Sequence, residues 1–159
     1  MERKLKYSEN YYVKILFNKV KLSEIMTAPV ITVSEDAAFH EVAEKIQKNK
    51  IRHLPVVDQD NKLVGLMTER GLYKIQSPRW LEDGTWYYDA EMLDNFILKD
   101  VMIHNLFTMS PDNSVSEAIL KMVDKKYGCI LVADKDRKLC GIVSYVDLLK
   151  LAAQIIQEK

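Results

Sequence analysis

The sequence predicts an α/β chain of the α+β type: two β-α-β-β-α repeats packed as a pseudo-twofold pair with a cleft between their sheets. Three observations carry that prediction. Residues 22–75 align with residues 98–151 at a constant offset of 76 without a gap. In each copy an amphipathic helical stripe precedes two short apolar runs separated by an Asp-containing turn. Each copy has about 54 residues, too few to cover both faces of its sheet alone, so the two must share a core.

The elements follow in chain order. Residues 1–20 form an N-terminal arm in which Tyr12, Ile15, Leu16 and Lys19 stand at helical spacing, and we expect an amphipathic helix used in dimer packing. Copy one spans residues 21–75. It opens with SEIMT (23–27) and a strand start at Thr32 and Val33. Phe39, Val42, Ala43 and Ile46 then recur at i, i+3, i+4 and i+7, one face of a helix. The run IRHLPVV (51–57) reads as a buried strand, DQDNK (58–62) as a turn, and LVGLM (63–67) as the returning strand of a hairpin.

Residues 76–97 join the copies and hold Trp80, Trp86, Tyr87 and Tyr88, with Asp83-Gly84 marking a hairpin tip. Four clustered aromatics are expected to pack on the module or on a partner. Copy two, residues 98–159, repeats the order from KDVMI (99–103) through Thr108 and Met109. Its helical stripe is Val115, Ala118, Ile119 and Met122, and its hairpin runs over 127–143. A C-terminal helix closes it with Leu148, Leu151, Ala152 and Ile155 on one face. Ser114 followed three residues later by Glu117 is a capping box. Copy one has Ala38 at that position, so its helix is expected to start from Asp36 or Ser34.

Composition bounds the function. With 48% apolar and 29% charged residues, four prolines and five glycines, the chain reads as soluble and globular. A net charge of zero supplies no field for nucleic acid or anionic membrane. The apolar runs are too short to cross a bilayer, and the N-terminus lacks the features of a secretory signal, which points to the cytoplasm. Cys129 and Cys140 make neither a disulfide framework nor a CxxC pair, and His40 and His104 lack metal spacing. No nucleophile–base pair or P-loop is present, and Cys129 has no activating arrangement, so the chain is read as non-enzymatic.

Read together, the Met-containing openings, the TVS (32–34) and TMS (108–110) strands, RHLPVVD (52–58) and the phrase Gly-apolar-apolar-Thr/Ser-x-x-Asp resemble tandem cystathionine-β-synthase (CBS) domains. Such a pair is a Bateman module, read here with the expectation that it stands alone, and the resemblance covers roughly residues 21–152. It implies a regulatory sensor that binds AMP, ADP, ATP or S-adenosylmethionine between the repeats. It also implies a homodimer, an effector protein the sequence does not name, and no required cofactor. A purely structural dimerisation module without ligand is the competing reading.

The phrase itself occurs twice, as GLMTERG (65–71) and GIVSYVD (141–147). Asp147 matches the family's ribose-binding position, where a carboxylate accepts from two vicinal hydroxyls; Ser144 is placed to donate to a phosphate or ribose oxygen. The plainer reading has Asp147 and Ser144 serving the helix N-terminus. Copy one keeps Thr68 but has Gly71 in place of the carboxylate. A charge-assisted hydrogen bond contributes about 1.5–3 kcal/mol, roughly ten- to a hundredfold in affinity, so the Gly71 site is expected to be weaker for a ribose. By the same resemblance, Arg52 and His53 reach toward phosphates, on opposite faces of their strand. Arg70 adds a cation. Thr32, Thr108 and Met109, with Cys129 and Ile130, complete the implied ligand-binding set around an adenine ring.

Overall fold

The computed structural model describes residues 11–76, 79–80, 82–84, 86–87 and 96–157. Copy one and its flanks comprise α1 (Tyr11–Lys19), α2 (Leu22–Ile25), β1 (Val33–Ser34), α3 (Phe39–Lys48), β2 (His53–Val57), β3 (Leu63–Thr68) and α4 (Glu69–Gln76). The joining segment holds β4 (Arg79–Trp80) and β5 (Trp86–Tyr87). Copy two comprises α5 (Leu98–Val101), β6 (Thr108–Met109), α6 (Val115–Lys125), β7 (Cys129–Ala133), β8 (Leu139–Ser144) and α7 (Tyr145–Gln157).

Each copy makes a three-stranded sheet, in the order β1-β2-β3 and β6-β7-β8. β1 pairs parallel with β2, Val33 opposite Val56, and β6 pairs parallel with β7, Thr108 opposite Leu131. A parallel pair needs a crossover, which α3 and α6 supply. β2 returns antiparallel into β3, with a register shift at Val56/Val57. The hairpin turns are built alike. Asp58 Oδ1 accepts from the N–H groups of Asp60 and Lys62 at 2.9 and 2.8 Å, and Asp134 Oδ1 from those of Asp136 and Lys138 at 2.9 Å each. Asn61 and Arg137 take the left-handed conformation at matching positions.

The described chain forms two compact units, and they do not coincide with the sequence copies. One unit contains Pro29–Phe107 with Ala133–Cys140; the other contains the chain up to Ala28, Thr108–Val132 and the chain from Gly141 on. The opening segment of each copy thus belongs to the unit holding the other copy's main helix. In the copy-one unit, Val42, Ala43 and Ile46 of α3 pack with Leu54, Met67 and Leu72, and with Leu98 and Met102 from copy two's opening. In the copy-two unit, Leu22 from copy one's opening is fully buried, as are Val115, Ala118, Ile130 and Val143. Burying about ten such side chains, at roughly 1.5–3 kcal/mol each, is the main force ordering either unit.

Backbone bonds seat these exchanged segments. Leu22 and Ser23 N–H donate to the carbonyls of Asn113 and Pro111 at 2.9 and 3.0 Å. Thr27 exchanges both backbone bonds with Ile142, at 2.9 and 3.2 Å, and Ile103 exchanges both with Leu66, at 2.9 and 3.0 Å. Thr27 and Ile103, like Leu66 and Ile142, stand 76 residues apart. The same bridge is therefore made twice.

Three details differ from the sequence reading. α3 begins neither at Asp36 nor at Ser34: Ala38 is its N-cap, with no side-chain bond, and Ser34 Oγ instead accepts from Asp36 N–H at 3.4 Å in the preceding turn. Arg52 lies in a bend before β2, which starts at His53, so strand alternation does not set its direction. The N-terminal arm is helical over Tyr11–Lys19 and packs on α6 of its own chain, where Asn18 accepts from the Ser116 hydroxyl. The capping box of α6 is present as read, with Ser114 Oγ accepting from Glu117 N–H at 3.3 Å. Asp83 and Gly84 lie between the antiparallel strands β4 and β5, Gly84 at a φ of 84°. The packing expected of Trp80, Trp86, Tyr87 and Tyr88, and the first ten residues of the arm, lie outside the described residues.

Candidate functional site

Strand β8 runs directly into helix α7, with Ser144 the last strand residue and Asp147 in the first helical turn. Asp147 Oδ2 accepts from the backbone N–H of Ser144 at 2.8 Å and from its hydroxyl at 2.7 Å. The Ser144 proton is therefore engaged with the carboxylate. Oδ1 faces the Lys150 ammonium at 3.8 Å, a loose pair one helical turn away. The Asp147 side chain is 12% exposed while Lys150 is 71% exposed. Asp147 thus serves the helix start through Oδ2, with Oδ1 turned toward Lys150, and the residue lines a cavity.

That cavity, about 300 Å³, is lined by Glu24, Ile25 and Thr27 of the exchanged opening segment and by Asp147, Lys150, Leu151 and Gln154 of α7. Glu24, Ile25 and Thr27 are not among the residues that the sequence motifs single out for a ligand. The repeated SEIMT and KDVMI openings were the available signal, but their destination depends on the exchange between copies.

A matching cavity of about 380 Å³ lies in the copy-one unit, among Met67, Thr68, Arg70, Gly71, Lys74 and Ile103. Positions correspond at the 76-residue offset: Ile25 with Val101, Thr27 with Ile103, Asp147 with Gly71, Lys150 with Lys74 and Leu151 with Ile75. At the start of α4, Thr68 Oγ1 accepts from Gly71 N–H at 3.0 Å. Gly71 is helical and outside the positive-φ set.

The other residues singled out in the sequence fall as follows. His53 stands opposite Thr68 in the β2–β3 ladder. Its pKa lies below the ordinary imidazole value, mainly because burial disfavours the charged ring and secondarily because Arg52 repels it. Arg52 pairs with Glu69 at 3.9 Å and accepts from Glu69 N–H through its carbonyl at 3.0 Å. These four residues, Arg52, His53, Thr68 and Arg70, gather in the copy-one unit, whereas Asp147 and Ser144 are in the copy-two unit. The Thr32 carbonyl accepts from Lys45 Nζ at 2.9 Å. Thr108 and Met109 form β6, and Met109 is buried. Cys129 and Ile130 are buried in β7, where burial pushes the Cys129 thiol up to about 12. Thr32, Thr108, Met109, Cys129 and Ile130 line neither cavity.

The CBS domain family model matches this chain twice, over residues 22–77 and 98–154. The chain belongs to the CBS domain family. Its two CBS repeats are similar to part of a homoserine O-acetyltransferase from Methanohalobium evestigatum, 30% identical over 142 residues that make 89% of this chain and 26% of the relative. They also resemble a CBS domain-containing protein of Dictyostelium discoideum, 28% identical over 87% of this chain and 95% of that one. Among solved structures, the CBS domain pair of protein MJ0100 in complex with 5′-methylthioadenosine and S-adenosyl-L-methionine superposes with a TM-score of 0.69. It is 26% identical, covering 85% of this chain and 97% of that one. The chain spans about a quarter of the length of the homoserine O-acetyltransferases it matches.

Proposed function

We propose that this CBS pair is a non-catalytic sensor that binds an adenosine-containing small molecule, with the ribose at Asp147. The observation that carries this reading is the Asp147 carboxylate. Its Oδ2 is fixed by Ser144, and the residue lines a cavity of about 300 Å³ while its side chain is only 12% exposed. A carboxylate held that way is oriented before a ligand arrives and can accept from a pair of vicinal hydroxyls. The bound 5′-methylthioadenosine and S-adenosylmethionine of the MJ0100 pair support an adenosine ligand of some kind.

The lining favours one branch of that class. Two carboxylates, Glu24 and Asp147, and one lysine, Lys150, are among its lining residues, so this cavity offers little to a polyphosphate. An uncharged or cationic adenosyl ligand of the methylthioadenosine or S-adenosylmethionine kind fits its charge better than ATP does; AMP lies between.

Binding would act through self-association in this reading. Helices α6 and α7 expose Leu120, Val123, Leu149 and Ile156 at 70, 73, 63 and 82%, and a second copy is the partner we assign to them. No helix among the described residues is long and apolar enough to cross a membrane. A thermal-shift series with AMP, ATP, methylthioadenosine and S-adenosylmethionine tests the ligand class. A stabilisation that rises with ligand concentration supports it, and no shift with any of the four at millimolar concentration rejects it.

A further inference from the structure

The cavity at Asp147 takes one wall from the exchanged opening of copy one, and that wall brings a charge. Glu24 lines it with Ile25 and Thr27. At the 76-residue offset Glu24 corresponds to Asp100, which is not among the residues lining the copy-one cavity. Glu24 is tied to Lys21 at both ends. Its Oε2 accepts from Lys21 N–H at 2.6 Å, and its own N–H donates to the Lys21 carbonyl at 3.1 Å. Those bonds fix the carboxylate on this segment. The Lys21 ammonium is directed elsewhere, to Asp112 at 2.7 Å. On the α7 wall Asp147 has Lys150 at 3.8 Å as counter-ion, whereas among the described residues Glu24 makes no ion pair. The lining therefore carries one net negative charge, and Glu24 is its source.

We infer that Glu24 sets the charge selectivity of this cavity, favouring an adenosyl ligand with a cationic 5′ substituent over an uncharged one and disfavouring a phosphate. This assignment rests on the ribose reading of Asp147 and divides the work. Asp147 holds the sugar whatever group the ligand carries, and Glu24 reads the charge of that group. A fixed carboxylate attracts a sulfonium or ammonium through space and repels a phosphate dianion by the same law. Glu24 is exposed, so water weakens the effect. The size expected is that of an exposed ion pair, about two- to fivefold in affinity. Because Asp100 lines neither cavity, the selectivity belongs to the copy-two site.

The test is calorimetric titration of the whole chain with three ligands that share adenosine and differ in the 5′ group: cationic 5′-amino-5′-deoxyadenosine, uncharged 5′-methylthioadenosine and anionic AMP. Glu24→Gln keeps a side-chain oxygen for the Lys21 N–H and removes the charge. It is expected to weaken the amine about two- to fivefold, to strengthen AMP by a similar factor and to leave methylthioadenosine unchanged. Salt at about 0.5 M should shrink both changes. Lys150→Gln, which removes the cation of the α7 wall, is expected to shift the amine and AMP in the opposite directions. Both side chains are exposed, so the variants are expected to fold, and circular dichroism checks that directly. A purely structural role for Glu24 moves all three ligands alike; that result, or no change in any of them, overturns the role assigned to it. Binding of none of the three by the wild type removes the ribose reading together with it. Binding that is lost in Asp147→Ala, with the same preference among ligands kept in Glu24→Gln, overturns the role of Glu24 alone.

Discussion

The Met102 side chain fills the space that a Cβ on Gly65 would occupy. A methyl built there would overlap the Met102 sulfur and stand 2.9 Å from its Cγ and Cε. Met26 lies against Gly141 in the same way, its Cγ 2.7 Å from the built Cβ. The methionine of each opening is thus seated on the glycine of the other copy's hairpin, which is why both residues repeat at the 76-residue offset.

Gly65→Ala should therefore destabilise the chain by about 1–3 kcal/mol through overpacking. Met102→Ala should cost about 2–5 kcal/mol through the cavity it leaves. The double variant should cost clearly less than the sum, because the new methyl enters space the thioether vacated. Urea denaturation of the three variants measures this, and strict additivity would show that the two side chains do not share the site.

The two main helices invite a reciprocal experiment at their caps. Ser114→Ala removes the bond to Glu117 N–H and should cost about 0.5–2 kcal/mol. Ala38→Ser places a hydroxyl at the extended N-cap of α3, with Glu41 already at the third helical position, and should stabilise by up to about 1 kcal/mol. Shifts of equal sign in the two urea midpoints would contradict this account.

Much of this architecture was legible in the sequence because it depends on local pattern. The stripes Val42-Ala43-Ile46 and Val115-Ala118-Met122 are the buried faces of α3 and α6, and the Asp58 and Asp134 turns are where composition placed them. What pattern could not supply was destination. Nothing in SEIMT says that it will bridge to Ile142 in copy two; that contact is set by the path of the chain, not by periodicity. For the same reason Glu24 and Thr27 were missed beside Asp147. Arg52 reads as a strand residue because Ile51 before it and Leu54–Val57 after the basic pair are apolar, and only backbone geometry marks the bend. The place of Asp147 in the first turn of a helix follows from local pattern and is what the structure shows, whereas a ribose at its carboxylate is implied by the family resemblance alone and stays part of the proposal.

The buried thiol gives a pH signature. Burial raises the Cys129 pKa from an ordinary 9.0 to about 12. Between those values the unfolded chain loses the proton while the folded chain keeps it, so the stability from this group is complete below pH 9 and declines as pH rises toward 12. The slope is about 1.4 kcal/mol per pH unit for one proton. Cys129→Ala should lack this component, so the stability gap between wild type and variant should narrow from pH 8.5 to 11. A constant gap would place Cys129 in contact with water.

Self-association should run through the helices of copy two. Leu120 and Val123 are exposed on α6, while the matching positions of α3 are Glu44 and Gln47. Light scattering at tens of micromolar is expected to give a dimer mass, and Leu120→Lys with Val123→Lys a folded monomer. A monomeric wild type would remove the proposed second copy.

The most direct test of the central claim, a ribose held at Asp147, is calorimetric titration of wild type, Asp147→Ala and Ser144→Ala with whichever adenosyl ligand stabilises the chain most. Asp147→Ala should bind about ten- to a hundredfold more weakly, the equivalent of about 1.5–3 kcal/mol for a charge-assisted hydrogen bond. Ser144→Ala, which loses the hydroxyl bond to Oδ2 but keeps the carboxylate, should stay within a few-fold of wild type. Unchanged affinity in a folded Asp147→Ala variant would contradict the account and leave the carboxylate as a helix cap alone.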